Sequence, residues 1–175
     1  MKKYIFVFIF FLFIFFCFFI FIKINDKNYF HINISNKNIC ANDGMTIIEY
    51  KGPKAQIIWK DGSISFYCEV REAFFEWTNF IKRKRIKKFY VQDFSFIKWG
   101  SYTNNWVEAC KVVYVIDSIK YGAMGISYVP FTDIIYANLF VDKYQGIIIN
   151  FDDIIIDVLD KSNEIFKDRI LKSCS

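Results

Sequence analysis

The N-terminal segment of this 175-residue chain constrains its fold most strongly, because it is an unbroken apolar run. Residues 4–22 are 19 consecutive apolar residues, with lysines on both sides. A helix of that length rises about 28 Å, close to the hydrocarbon thickness of a bilayer. The run therefore predicts a transmembrane helix within residues 1–23.

The sequence indicates that this helix is retained as an anchor. Cleavage by a signal peptidase needs small residues after the apolar core, and none follow here. Cys17 follows Phe16, not the small residue that precedes a lipoprotein cysteine, so we expect Cys17 to be an inert apolar residue of the span. The flanking lysines nearly balance, and the positive-inside rule leaves the orientation open.

Residues 24–39 are rich in Asn, Lys and Ile and predict a tether with little packing capacity. His31, the single histidine of the chain, lies in this segment and is expected to be solvated. No Ser-His-Asp set or glycine-rich phosphate loop is evident, so we expect a protein that is not an enzyme.

Hydrophobic periodicity predicts a first module in residues 40–100. Two strands joined at Asp61-Gly62, a helix and a third strand follow each other. Their predicted ranges are 55–60, 63–68, 70–81 and 86–94. Glu69 and Glu72 fall in the first helical turn, where acidic residues suit the helix dipole.

The same order of elements is predicted again in a second module, residues 101–156. A buried strand at 110–116 leads through a loop at 117–125 to a short strand at 126–129. A helix capped by Thr132 and a final strand at 146–151 complete the module. The prediction is an α+β protein of two small ββαβ modules after a transmembrane helix, with residues 157–175 as a C-terminal tail, helical on the surface or partly disordered.

Four short segments of this chain are similar to a known family. They are CANDGM at 40–45, GPKAQ at 52–56, FYCEVREAF at 66–74 and GAMG at 122–125. In this order and spacing, over about residues 40–153, they resemble the NosL family. Two features depart from the family pattern: Asp43 stands where many members have a second Cys, and a membrane span replaces the usual lipid anchor.

The resemblance implies an architecture of two ββαβ modules and a role in copper delivery. It implies that the domain binds copper(I) outside the cytoplasm and passes it to nitrous-oxide reductase, with a membrane transporter complex as a further partner. The protein is then expected in the inner membrane, as a single-pass protein with its domain in the periplasm. Nucleic acid is not expected as a partner of a domain in that location.

The residue types support copper independently, because copper(I) is a soft ion that selects thiolate and thioether ligands. Cys40 and Met45 share a glycine-containing loop, and Met124 lies beside two glycines in another. Cys68 ends a strand at the start of a helix, whose positive end is expected to lower the thiol pKa. These four are the candidate ligands, and Asp43 is either a further oxygen ligand or only a turn residue.

Each of these sulfur-bearing residues also has a structural interpretation. Methionines usually pack in cores, and Cys40 and Cys68 could form a disulfide in an oxidising compartment. Cys110 is expected to pack in the core, and Cys174 is expected to have no role. A C-x-x-C pair is absent from the sequence, so a thioredoxin-like motif is excluded.

A basic cluster follows the first predicted helix, with six cations in seven residues: Lys82, Arg83, Lys84, Arg85, Lys87 and Lys88. It is either a solvated helix end or a docking patch for an acidic partner or anionic lipid. Two other functions therefore stay open. One is a thiol-disulfide exchange protein that uses Cys40 and Cys68, and the other is a docking subunit without a metal.

Overall fold

The computed structural model describes residues 12, 14–16 and 29–160. Within those ranges no helix is both long enough and apolar enough to cross a bilayer. The predicted transmembrane helix lies almost entirely outside the described residues, as do Cys17, Cys174 and the chain after residue 160. The chain divides into two compact units, residues 1–30 and 31–175, and every element named below belongs to the second unit.

The first four strands are β1 (Ala55–Trp59), β2 (Ile64–Tyr67), β3 (Ile86–Gln92) and β4 (Trp106–Glu108). They form an antiparallel sheet with the order β2-β1-β3-β4. The turn between β1 and β2 forms at Asp61-Gly62 as predicted: the Asp61 carboxylate accepts from the Ser63 amide at 2.9 Å, and Gly62 has a φ of 92°.

The helix predicted at 70–81 is two helices, α1 (Val70–Thr78) and α2 (Phe80–Arg83). They are separated at Asn79, whose backbone is extended with φ −70° and ψ 115°. The Asn79 side chain accepts hydrogen bonds from the amides of Ile81 and Lys82, so it caps a new helix. Helical spacing of apolar residues continues across the break, which is why periodicity alone missed it.

The next strands are β5 (Val113–Ile116), β6 (Tyr121–Gly122), β7 (Gly125–Ile126), β8 (Val129–Phe131) and β9 (Ile147–Asn150). The second sheet is also antiparallel and has the order β8-β5-β9. Strands β6 and β7 form a small hairpin, most of which lies in the segment predicted as a loop. The helices are α3 (Ile134–Tyr144) and α4 (Phe151–Asp160).

The second half differs from the sequence-based expectation in several details. Strand β4 lies in the predicted second module but joins the first sheet, and α4 begins at Phe151, inside the predicted final strand. Cys110 lies in a 3-10 turn, Ala109–Lys111, before the strand begins. The range predicted as one strand at 126–129 is divided: Ile126 belongs to β7 and Val129 begins β8. Asp133, not Thr132, caps α3 by accepting from the Ile135 amide, because the Thr132 hydroxyl donates to the Asp93 carboxylate instead.

The fold is α+β with antiparallel sheets. A smaller apolar cluster packs β5 and β8 against α3, and both sheets contribute to the main core. Phe74 of α1 is fully buried at the centre of this core. Its ring centroid lies 5.2 Å from that of Phe89 in β3, 5.4 Å from that of Tyr114 in β5 and 5.1 Å from that of Phe151 in α4. Helix α1 therefore packs against elements from both halves of the chain.

The expectation of a poorly packed tether is wrong for residues 31–39. Gln56, buried in β1, accepts from the Ile32 amide and donates to the Ile32 carbonyl oxygen, each at 3.0 Å. Ile34 is buried, and its carbonyl oxygen accepts from the Tyr102 hydroxyl at 2.7 Å. His31 is half-buried, with its ring 5.4 Å from that of Tyr90, so it is not simply solvated. The Gln56 side chain in β1 forms the hydrogen bonds that hold this segment on the domain, and the composition of the segment did not predict them.

Candidate metal centre

Cys40 begins a tight turn that backbone hydrogen bonds hold closed. The Cys40 amide donates to the Met45 carbonyl oxygen at 2.8 Å, and the Gly44 amide donates to the Cys40 carbonyl oxygen at 3.0 Å. Gly44 has a φ of 73°, a left-handed conformation that glycine adopts without steric cost. The Asp43 carboxylate accepts from the Met45 amide at 2.9 Å, as in an Asx turn. Residues 40–45 thus form a compact turn.

A bridge to β2 brings this turn beside Cys68, 28 residues further along the chain. Cys40 pairs with Phe66, two residues before Cys68, and the Cys68 amide donates to the Cys40 Sγ at 3.5 Å. The Sγ atoms of Cys40 and Cys68 and one carboxylate oxygen of Asp43 all lie within 4.8 Å of one another. Two thiols and a carboxylate therefore converge as a candidate metal centre.

The two thiols are buried and free, and the carboxylate beside them is exposed. No disulfide joins Cys40 to Cys68. Both side chains are buried, whereas Asp43 is exposed. The arrangement therefore combines two soft sulfur donors inside the protein with one hard oxygen donor at the surface.

Burial dominates the thiol electrostatics and contradicts one expectation. It raises the pKa of Cys40 and raises the pKa of Cys68, which the neighbouring Cys40 thiol raises further. The positive helix end does not lower the pKa of Cys68, because Glu69 forms the N-cap and with Glu72 makes a reciprocal capping box. The carboxylates of Glu69 and Glu72, and not the Cys68 thiol, therefore accept the hydrogen bonds of the amides at the start of α1.

Glu72 contacts the centre directly, although the sequence indicated only a helix-dipole role. Its Oε2 accepts from the Cys40 thiol at 3.6 Å and from the Glu69 amide at 3.3 Å. Its Oε1 accepts from the Asn42 side-chain amide at 3.2 Å. The three-residue spacing of the two glutamates allows the reciprocal capping box, but only the tertiary structure places the second carboxylate against a thiol.

Lys54 is a second residue that sequence reasoning did not assign to the centre. It is 2% exposed, and its Nζ donates to the carbonyl oxygens of Lys51 and Cys68, each at 3.2 Å. Burial lowers the pKa of Lys54, while attraction to Glu69, Cys68 and Cys40 opposes that shift. The sequence feature that could have indicated this role is a lysine directly before an apolar strand. Its ammonium group can offset negative charge on the thiols.

The two candidate methionines occupy different surroundings. Met45 is half-buried and belongs to the turn that carries Cys40 and Asp43. Met124 is 48% exposed at the turn of the β6–β7 hairpin, where its carbonyl oxygen accepts from an Arg71 Nη atom at 3.0 Å. Ligation by either methionine stays a prediction.

The remaining cysteine and the basic cluster lie elsewhere. Cys110 is half-buried and packs against the main core. In the cluster, Lys82 pairs with Glu76 at 2.6 Å, Arg85 with Asp61 at 3.6 Å and Lys88 with Glu108 at 2.8 Å. These ion pairs offset part of the positive charge, and the docking role of the cluster stays a prediction.

The fold and the centre together define a class: a small α+β domain with a thiol-based candidate metal site. Within that class the chain belongs to the NosL family, whose family model matches residues 31–159. The match begins inside the segment that composition had indicated to be a tether. No curated protein matches the chain.

A solved structure agrees with the family assignment. The chain is similar to the crystal structure of the copper chaperone NosL from Shewanella denitrificans, with 26% sequence identity and a TM-score of 0.69. The similarity covers 73% of this chain and 96% of that chain.

Proposed function

We propose that this protein is a copper(I) chaperone, which binds the ion through Cys40 and Cys68 and releases it to an acceptor protein. The convergence of both thiols and the Asp43 carboxylate within 4.8 Å carries the proposal. Membership of the NosL family and similarity to a copper chaperone support it.

The geometry of the centre suits one ion between the two sulfurs. With metal–thiolate bonds of about 2.3 Å, direct ligation by both requires sulfurs at most ~4.6 Å apart. The upper limit of 4.8 Å in this structure is close to that value. Two thiolates favour copper(I) over hard ions, and Lys54 supplies a buried positive charge to balance them.

An exchangeable site is consistent with this ligand set. Cys40 and Cys68 are the proposed buried donors, with Asp43 as a weak donor on the exposed side. Met45 and Met124 are the proposed thioether ligands, because both lie in turns near glycines. Either one would complete the ligand set or replace Asp43 in it. Few ligands and an exposed side allow an acceptor to replace one donor at a time.

Thiol-disulfide exchange is less well supported by the same geometry. An attacking cysteine needs a lowered pKa, whereas burial raises the pKa of both Cys40 and Cys68. A bound metal ion deprotonates a coordinating thiol itself, so the raised pKa does not prevent ligation. We therefore propose metal transfer and no catalytic activity.

Nitrous-oxide reductase, reached through its membrane transporter complex, is the proposed acceptor, as family membership suggests. We propose that residues 1–23 anchor the chain in the inner membrane and that the folded domain lies in the periplasm. The cluster at Lys82 to Lys88 is the proposed contact for an acidic surface on that assembly.

Copper(I) titration of the full-length chain against a chromophoric copper(I) chelator tests the proposal. We expect one equivalent to bind, and Cys40→Ser and Cys68→Ser each to weaken binding at least about 100-fold. Cys110→Ser is the matched control, because Cys110 packs on the core outside the centre. Unchanged affinity in both site variants, or tighter binding of zinc than of copper(I), would contradict the proposal.

A further inference from the structure

The β6–β7 hairpin rests on the first residues of α1, immediately after the thiol of Cys68. We propose that Arg71 and Glu69 are positioning residues, which hold this hairpin so that Met124 can ligate copper at the Cys40–Cys68 centre. The inference rests on the proposed copper(I) function and specifies how one ligand reaches the ion.

Arg71 holds the turn of the hairpin at its tip. One of its Nη atoms donates to the Met124 carbonyl oxygen at 3.0 Å, across 53 residues of sequence. The next residue, Gly125, has a φ of 109°, which a side chain would strain. The guanidinium therefore contacts the very residue whose thioether is the proposed ligand.

Glu69 contacts the same hairpin from inside the protein. It is 1% exposed, and its Oε2 accepts from the Ser127 hydroxyl at 2.8 Å. A Cβ atom at Gly122 would lie 1.5 Å from the Glu69 Oε1, so only glycine fits there. The backbone of β6 therefore packs directly on the Glu69 carboxylate.

These contacts link the hairpin to the thiol through very few residues. Cys68, Glu69 and Arg71 lie within four consecutive positions at the start of α1. The Cys68 carbonyl oxygen is fixed in turn by the buried Lys54 ammonium at 3.2 Å. Because a two-stranded hairpin is marginally stable alone, contacts with α1 determine where Met124 lies relative to Cys68.

A double-mutant cycle on the full-length chain tests the inference. Copper(I) affinity is measured for Arg71→Gln, Met124→Leu and the double variant by competition with a chromophoric chelator. Residues that orient a metal ligand typically contribute 10–100-fold in affinity. We expect Arg71→Gln to weaken binding about tenfold, and to have no further effect once Met124 is leucine.

Two further readouts separate positioning from a loss of fold. Copper X-ray absorption should show one sulfur neighbour fewer in Arg71→Gln, while its unfolding temperature stays within a few degrees of the wild type. Hydrogen exchange of the peptide covering residues 119–127 should become faster. Lys111→Gln is the matched control, because Lys111 pairs with Glu108 on the surface and belongs neither to the centre nor to the basic cluster.

Should Arg71→Gln unfold, Ser127→Ala removes a single hydrogen bond to Glu69 and is expected to give a smaller loss of affinity that also requires Met124. An equal loss in wild-type and Met124→Leu backgrounds would overturn the inference. The inference would also be overturned if Met124→Leu left both the copper(I) affinity and the number of sulfur neighbours of copper unchanged while Cys40→Ser abolished binding. Unchanged binding in Cys40→Ser would instead refute the proposed function itself.

Discussion

Replacing Phe74 by alanine should strongly destabilise the domain in a single cooperative transition. Phe74 is fully buried and contacts rings from β3, β5 and α4. Losing the transfer free energy of a buried Phe costs about 2 kcal/mol. A residual void of roughly 80 Å³ adds about 2 kcal/mol more at ~24 cal/mol per Å³. We therefore expect a loss of about 4 kcal/mol in the free energy of unfolding.

Urea denaturation followed by tryptophan fluorescence and by far-ultraviolet circular dichroism measures this change. Both signals should shift together to lower urea, because the two sheets share the core that Phe74 fills. Phe75→Ala is the matched control: the next residue of the same helix is 55% exposed, so its replacement should change stability by less than about 0.5 kcal/mol.

Separate transitions for the two signals in Phe74→Ala would refute the shared core. A loss below about 1 kcal/mol would refute the estimate from burial, since filled cores do not collapse around so large a deletion.

Three other predictions follow from particular contacts. The apo-protein should lose stability as the pH rises above about 9, the ordinary pKa of a thiol, because the folded state keeps Cys40 and Cys68 protonated while the unfolded chain releases those protons. Plotted against pH from about 8 to about 10, the free energy of unfolding should fall less steeply in the Cys40→Ser, Cys68→Ser double variant. Asn79→Ala should cost about 1 kcal/mol, measured by thermal unfolding, because two amides of α2 lose their cap. Gln56→Ala should speed tryptic cleavage after the exposed Lys37 about tenfold, since both hydrogen bonds to the preceding segment are lost; an unchanged rate would show that other contacts hold it.

Local pattern was sufficient to predict most of the first sheet and its connections. Strand alternation and the Asp61-Gly62 turn predicted β1 and β2, which the structure has within one residue of the expected ends. The helix boundaries were harder, because apolar spacing continues across Asn79, where α1 ends and the side chain caps the start of α2. Asp133 likewise caps the start of α3, and the β6–β7 hairpin is too short to produce a periodic signal.

The candidate ligands were predicted from their sulfur atoms, but the sequence did not predict which residues surround them. Copper(I) selects sulfur, so Cys40 and Cys68 could be proposed from residue type alone. The contacts of Glu72 with the Cys40 thiol and of Lys54 with the Cys68 carbonyl oxygen were not foreseen. The first depends on how the Cys40 turn packs beside α1, and the second on how the residue before β1 packs beside the end of β2. Spacing along the chain determines neither.

What the sequence by itself determined is the family, the residue types at the centre and the order of strands and helices, because these depend on local pattern and short motifs. Only the tertiary structure decided that the Cys40 turn pairs with β2 beside Cys68, and that both thiols are buried. The physical reason is that a thiol's pKa depends on its exclusion from water, which distant segments produce together. The expected lowering of the Cys68 pKa was wrong for that reason: burial outweighs a helix end already capped by Glu69.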